Sequence, residues 1–491
     1  MSFNIKPDTI MTSRSADGDH EQTDGESSGD ERRFDALRSS SRRAFIASGA
    51  AFTLATLAGC SGDGGDTTTA GGGDDGGDTT TSGGDDTTEK PSDGGTTETT
   101  TEPSDTTTSG SAKDYPDEVY VGSIHPYTGP TSYVGDRLHK AMELAATIKN
   151  ENGGIESMNG AEVRFLRGDH KNQPETGAEV AQELIDEGAS VLTGTYSSAV
   201  TNAITRVAES NGVPFVIDIS VAASILQETP LEYVYRTQPN SWNQASDAID
   251  GLSWAADQAG ADVETIGLFY IDNTYGQAIR DGIERAVEDR DMEVITEATI
   301  GFGGTADTQV TKFRNADPDV IIPTVFTNQI LELVSAMQDQ DYWPKVLHAC
   351  ATGGMNSENY EKMGQVIEGS MSSGYQVNKQ SERVQEINER YMNTYDTAPM
   401  EGNIGMAYAT AQVIIEAFEE AGSADPEVVN ETLQNITVED HVMAMPPIEF
   451  DDRGENADGL TITNQVQDMQ NETVYPDRYA TADLDTDAIG N

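Results

Sequence analysis

From Asp114 onward, short apolar runs alternate with stretches in which apolar residues recur every three to four positions. Val119–Ile124 predicts a strand, and Leu138, Met142, Ala145 and Ile148 predict a helix over Asp136–Asn150. The rhythm continues through strand Glu162–Arg167, helix Glu175–Glu187, strand Val191–Thr193, helix Ala199–Asn211 and strand Pro214–Ile217. A second series follows: helix Gln244–Ala259, strand Thr265–Tyr270, helix Gly276–Asp289, strand Met292–Ala298, helix Gln309–Asn315, strand Val320–Val325, helix Asn328–Gln338 and strand Lys345–His348. Two consecutive βα series predict an α/β fold with two parallel sheets, each covered by helices on both faces. Helices Glu382–Asp396, Gly402–Ala421 and Pro426–Gln434 then precede a late strand near Ile448–Phe450.

The front of the chain has another character. Arg42-Arg43 is followed by a small-residue apolar stretch from Ala44 to Ala58 and then by Leu57-Ala58-Gly59-Cys60. Paired charges before an apolar stretch too short to span a bilayer predict a twin-arginine export signal over 1–60, ending in a lipoprotein cleavage box. Cleavage before Cys60 would leave its thiol for a lipid anchor carrying more than one chain, since one chain alone binds membranes only marginally. Residues 61–113 hold 16 Thr, 13 Gly and 12 acidic residues without one Leu, Ile, Val, Met or aromatic. No core can form from that composition, so the segment is expected to be a disordered tether.

Composition sharpens the picture. The 491 residues carry 85 acidic and 29 basic side chains, a net charge of −56. Nucleic acid needs clustered Lys and Arg and is excluded as a partner. From Asp114 on, 64 acidic residues face 20 basic ones, only seven of them lysine. Charge spread so evenly is a solvated acidic surface, and in dilute buffer its self-repulsion strains a compact fold. The pattern is expected of a salt-saturated habitat. With Cys60 consumed by lipid, Cys350 has no disulfide partner and reads as a buried, inert thiol.

In open α/β sheets ligands bind beyond the carboxyl ends of the strands, so the chemistry is sought in the loops there. Four are informative: His125-Pro126-Tyr127-Thr128-Gly129-Pro130, Gly194-Thr195-Tyr196-Ser197-Ser198, Asp218-Ile219-Ser220, and Tyr270-Ile271-Asp272-Asn273-Thr274-Tyr275-Gly276. Ser197 and Ser198 open a helix, where hydroxyls beside free backbone N–H groups can accept a carboxylate or amide oxygen, or serve as plain helix capping. Taken alone, a tyrosine such as Tyr275 is more often a packing residue than a ligand contact.

Tyr127-Thr128-Gly129-Pro130, Tyr196-Ser197-Ser198, Tyr235-Arg236-Thr237-Gln238-Pro239 and Tyr275-Gly276, in this order after a lipoprotein signal, resemble the leucine/isoleucine/valine-binding family of extracellular solute-binding proteins. The likeness covers nearly all of Asp114–Asn491 and is haloarchaeal-like in its charge and anchor. It implies a type I periplasmic-binding-protein fold: two Rossmann-like lobes joined by three hinge strands, lobe one from 114–238 and 374–440 and lobe two from 239–373 and 441–491. It also implies a monomer that closes on a small ligand and delivers it to ABC permease subunits, with no cofactor. Carried over by position, ligand contacts fall on Tyr127, Ser197, Ser198, Ser220 and Ala222 in lobe one and on Tyr275, Phe326 and Thr352 in lobe two. Amino-acid-binding members place an acid where this chain has Thr352. An uncharged hydroxyl cannot neutralise a buried ammonium, so amide, urea-like or carboxylate ligands gain ground unless Asp218 or Asp272 supplies the charge. A sensory binding protein serving a chemoreceptor or kinase is the alternative.

Enzymatic readings find little footing. His125, His139, His170, His348 and His441 show no HExxH or paired spacing, which excludes an obvious metal site, and neither a G-x-S-x-G elbow nor a P-loop occurs. The charge pattern generates the first prediction. Withdrawing NaCl from molar to about 0.1 M lengthens the Debye length from about 3 to about 10 Å, and circular dichroism should report unfolding; an unchanged spectrum would refute it.

Overall fold

The computed structural model describes residues 115–490, Asp289 excepted. Arg42, Arg43, Cys60 and the tether 61–113 lie outside the described residues. The first series forms β1 (Glu118–His125), α1 (Ser132–Glu151), β2 (Glu162–Asp169), α2 (Pro174–Asp186), β3 (Ala189–Gly194), α3 (Ser198–Asn211), β4 (Phe215–Ile217), α4 (Ser224–Gln227) and β5 (Val234–Arg236). Its five strands pair in parallel in the order β2-β1-β3-β4-β5. Every residue of the central β3 is buried, as a parallel strand covered on both faces requires. Ile124, Leu192, Ile204, Phe215 and Ile217 lie in this lobe's apolar core.

The second series forms α5 (Ser241–Ala259), β6 (Thr265–Ile271), α6 (Thr274–Val287), β7 (Glu293–Ile300), α7 (Asp307–Ala316), β8 (Val320–Thr324), α8 (Thr327–Asp339), β9 (Val346–Cys350), α9 (Ser357–Met363) and β10 (Met371–Gly374). Local chemistry starts its helices. The Asn240 side chain accepts from the N–H groups of Trp242 and Asn243 at the head of α5, and Asn273 caps α6 through the Gly276 N–H. Ile249, Leu252, Ile266, Leu268, Ile283 and Ile322 belong to its core.

The chain then returns to the first lobe as α10 (Glu382–Tyr395), α11 (Asn403–Ala421) and α12 (Pro426–Leu433). In α11, 13 of 19 residues are buried, because the helix lies along α1 and across β3 and β4. A small hairpin pairs β11 (Thr437–Val438) with β12 (Ile448–Glu449). Finally β13 (Ile462–Gln467) and β14 (Gln470–Tyr475) join the second sheet, giving the order β14-β13-β10-β9-β8-β6-β7. Both added pairings are antiparallel, so the second sheet is mixed where the sequence suggests a purely parallel one. Those two strands escape pattern reading because their buried residues include Thr463, Asn464, Gln465, Asn471 and Thr473, which carry no apolar alternation.

The chain passes between the sheets three times, and the crossings are bonded to one another. Val377 bridges Met443, and the Ala444 and Asn378 N–H groups donate to the carbonyls of Gln376 and Val442. Arg236 bridges Glu455, and the Asn456 amide donates to the Thr237 carbonyl at 2.6 Å. Among the described residues no helix is long and apolar enough to cross a membrane.

Histidines that look scattered in sequence meet inside lobe one. His125 Nε2 lies 2.7 Å from Asp218 Oδ2, its Nδ1 3.1 Å from Ser123 Oγ, and that hydroxyl 3.0 Å from His139 Nδ1. Burial raises the pKa of the Asp218 carboxyl, against the pull of His125. Elsewhere, burial pushes His170 down to about 4 and His348 down to about 3. Both are neutral in the fold at pH 7, and unfolded histidine titrates near 6.5. Between those values the unfolded chain binds more protons, so the stabilisation present above pH 6.5 is lost as pH falls toward the folded values. In molar salt, unfolding free energy should drop between pH 6.5 and 4 by roughly 1 kcal/mol per pH unit per histidine. His348→Gln should flatten the slope in denaturant titrations, and an equal slope in that variant would remove the assignment.

Candidate ligand-binding cleft

The carboxyl ends of both sheets face one cavity of about 360 Å³ between the lobes. Lobe one contributes Tyr133 and Arg137 from α1, Tyr196 and Ser198 around the start of α3, and Ile219 and Val221 after β4. Lobe two contributes Tyr275, Phe326, Thr327 and the loop 351–356 after β9. Gly194 lets β3 end here: its φ is +120°, and a Cβ would sit 2.1 Å from the Ile124 carbonyl oxygen. Gly354, at φ +101°, does the same for the loop against α8, where a Cβ would meet Thr327 Cα at 2.8 Å.

Aromatic rings close the cavity from both sides. The Phe326 ring centroid lies 5.2 Å from Tyr275, 5.5 Å from Phe302 and 5.5 Å from Tyr196, the last belonging to the opposite lobe. Tyr196 also comes so near Gly353 that a Cβ there would stand 3.1 Å from its hydroxyl oxygen. The lobes are therefore in contact across the cleft. Burial raises the pKa of the Tyr196 and Tyr275 phenols well above the usual range, so both are neutral. Tyr275 donates to the Ala351 carbonyl at 2.6 Å and thereby holds the loop after β9.

Four of the residues expected from sequence meet at the cavity: Ser198, Tyr275, Phe326 and Thr352. Ser198 is buried at the first position of α3, whose N-cap Ser197 makes no side-chain capping bond. The first-turn N–H groups of a helix lack intrahelical partners, so α3 offers this end of the cavity donors and a positive dipole end. The N-cap of α8, Phe326, likewise makes no side-chain cap. Thr352 turns its hydroxyl to the Pro323 carbonyl at 2.6 Å.

The other four lie off the cavity wall. The Tyr127 ring is covered by the Arg167 guanidinium, 4.0 Å from its centroid, and meets His139 edge-on at 5.8 Å. Ser197 uses its carbonyl to accept from Thr195 and Thr201 hydroxyls. Ser220 turns inward, 2.5 Å from Thr201 Oγ1 and 3.2 Å from Thr195 Oγ1. Ala222 is fully buried; its N–H donates to Ser198 Oγ at 3.4 Å and its carbonyl accepts from Arg236. The segment after β4 thus supports Ser198 and presents Ile219 and Val221 instead.

Sequence reasoning misses the charged residues of the wall, Arg137, Lys362 and Glu401. Among the described residues, Glu401, between α10 and α11, is the only acidic one lining the cavity, whereas Asp218 and Asp272 do not line it. Its position is unreadable in sequence because it lies in a Pro-Met-Glu-Gly loop with no periodicity. Cys350 is fully buried and its thiol is pushed up to about 12 by burial. Among the described residues, no group of three or more His, Cys, Asp or Glu is placed to hold a metal ion.

Two α/β lobes enclosing one polar and aromatic cavity define a two-lobed solute-binding protein. The chain belongs to the periplasmic binding protein family, whose model matches residues 118–468. It is similar to Leu/Ile/Val-binding protein homolog 7 of Brucella suis, 25% identical over 378 residues, covering 75% of this chain and 94% of that one. Among solved structures it resembles a leucine-binding protein from Thermotoga maritima, with TM-score 0.61, 20% identity and coverage of 72% and 97%. A solute-binding protein from R. palustris in complex with benzoate gives TM-score 0.63, 17% identity and coverage of 76% and 99%. The α/β fold with two sheets is that of the type I periplasmic binding proteins.

A hydrogen bond to a charged partner contributes about 1.5–3 kcal/mol, and 1.4 kcal/mol is tenfold in affinity. Ser198→Ala should weaken ligand binding by about tenfold in calorimetry. Tyr275→Ala should do likewise and reduce closure seen by small-angle scattering, while Tyr275→Phe keeps the ring and should lose less than threefold. Wild-type affinity in both alanine variants would sink the site.

Proposed function

We propose that the protein captures a small polar ligand, a branched-chain amino acid, amide or urea-like compound, by interlobe closure and delivers it to an ABC importer. In this reading it is exported by the twin-arginine route through Arg42 and Arg43 and held at the outer face of the membrane by a lipid on Cys60. The observation that carries it is the cavity itself. Its walls come from both lobes, so a ligand filling it favours the closed state through contacts that the open state lacks. The α3 N-terminus and Ser198 suit a carboxylate or amide oxygen, and Glu401 is placed to accept from an amino or amide N–H. The names of the Brucella relatives support the amino-acid choice.

A second ligand class is favoured by one observation. The Tyr196–Phe326–Tyr275 cluster beside an uncharged Thr352 suits an aromatic carboxylate, and the R. palustris neighbour holds benzoate. Mass spectrometry of small molecules released from the purified protein, followed by calorimetry with isoleucine, an aliphatic amide and benzoate, separates the classes. Absence of a released ligand together with no heat from any of the three would overturn the reading. Cys60→Ser should move the protein from the membrane fraction to the medium or leave the precursor unprocessed, and unchanged fractionation would remove the anchor.

A further inference from the structure

We propose that Glu401 is an interlobe latch that sets the open–closed equilibrium of the cleft, and with it the affinity for ligand. The inference rests on the closure invoked above but adds a residue and a contact to it. Glu401 is fastened to lobe one. The Arg137 guanidinium, on α1, donates to the Ala398 and Pro399 carbonyls, at 3.4 and 3.0 Å. The Met400 N–H donates to Asn388 Oδ1 of α10 at 2.8 Å, and α11 begins at Asn403. Ser357 opens α9, which packs on α8 in lobe two.

Between them the carboxylate crosses the cleft. Glu401 Oε2 accepts from the Ser357 backbone N–H at 3.2 Å and from its hydroxyl at 3.1 Å. Its other oxygen lies 3.7 Å from Lys379 Nζ, which itself donates to the Asn471 carbonyl of β14 at 2.7 Å. The N-cap of α9, Asn356, makes no side-chain capping bond to the helix. The capping function is therefore supplied from the opposite lobe, by a carboxylate that a helix N-terminus favours. Separating the lobes uncouples the cap and returns the acid and the amide to water.

The same carboxylate is, among the described residues, the one acidic group in the cavity wall, so latch and ligand share a residue. Charge-assisted hydrogen bonds at contact distance are also little affected by salt that screens longer-range attraction. That suits a chain whose other charges are mostly alike.

Ser357 offers an independent handle. It is the first residue of α9, a position that tolerates proline, and Asn356 already has the extended conformation that a residue before proline prefers, φ −144° and ψ 161°. Ser357→Pro removes both donors to Glu401 without touching lobe one. The test measures interlobe distance in ligand-free protein in molar salt by paired nitroxide labels. Glu187→Cys and Asp339→Cys, exposed at the far ends of α2 and α8, carry the labels in a Cys60→Ser background.

Glu401→Ala and Ser357→Pro should each lower the closed-to-open ratio at least fivefold, and the double variant should lower it no further. Glu401→Gln, which keeps an acceptor oxygen, should fall between. Two distances in the parent with unchanged weights in both single variants would overturn the latch while leaving closure intact. One fixed distance in every variant and on adding the released ligand would overturn latch and closure together. Additive effects in the double variant would show that the two residues act apart, which also overturns the latch.

Discussion

The structure depends first on a buried guanidinium. Arg236 is fully buried at the end of β5, where its Nη1 and Nη2 donate to the Val221 and Ala222 carbonyls at 2.7 and 2.9 Å and its Nε lies 3.5 Å from Glu455 Oε2. Burial pulls its pKa down and Glu455 opposes that pull. A charge taken out of water is tolerable only when such partners surround it, and removing one partner of a buried pair costs about 3–5 kcal/mol. One side chain thereby ties the loop after β4, the edge of the first sheet and the third crossing into a single unit.

What that unit does follows from where it sits. Val221 lines the cavity, Ala222 supports Ser198, and Thr237 and Gln238 begin the crossing to lobe two. Gln238 donates to the Ser220 carbonyl at 2.8 Å, so the first crossing is hydrogen-bonded to the loop that presents Ile219 and Val221 to the cavity. A rigid support beneath a mobile interface is what lobe closure requires. Contacts across the cleft can then change while those below it persist.

The cleft divides its chemistry between the lobes. Lobe one brings the uncapped start of α3, a donor end, together with the Glu401 acid. Lobe two brings the Tyr275 and Phe326 rings and the glycine-bearing loop after β9. Each half alone offers an incomplete set of partners, so the cavity's full chemistry exists only where the two lobes meet. The Tyr196 ring against Phe326 shows how little separates the halves once they meet.

The sequence alone determined much of this protein. Its two βα rhythms, its acidic surface and the loops that follow the strands are written in periodicity and composition, which are local properties. Ser198 and Tyr275 were legible for that reason, since each lies just past a strand end and strand ends face the cleft in this class of fold, whereas Phe326 and Thr352 were reached only through the family resemblance. Only the tertiary structure decided which side chains turn outward. Ser220 and Ala222 lie in an equally well-placed loop, yet buried bonds to Thr201 and Arg236 draw them inward and leave Ile219 and Val221 to line the cavity. The polar strands β13 and β14 and the acid Glu401 were likewise invisible, because burial of Asn464 or a contact between Glu401 and Ser357 depends on segments far apart in the chain. Periodicity reports which face of an element is buried; it carries no information about hydrogen bonds between elements that fold brings together.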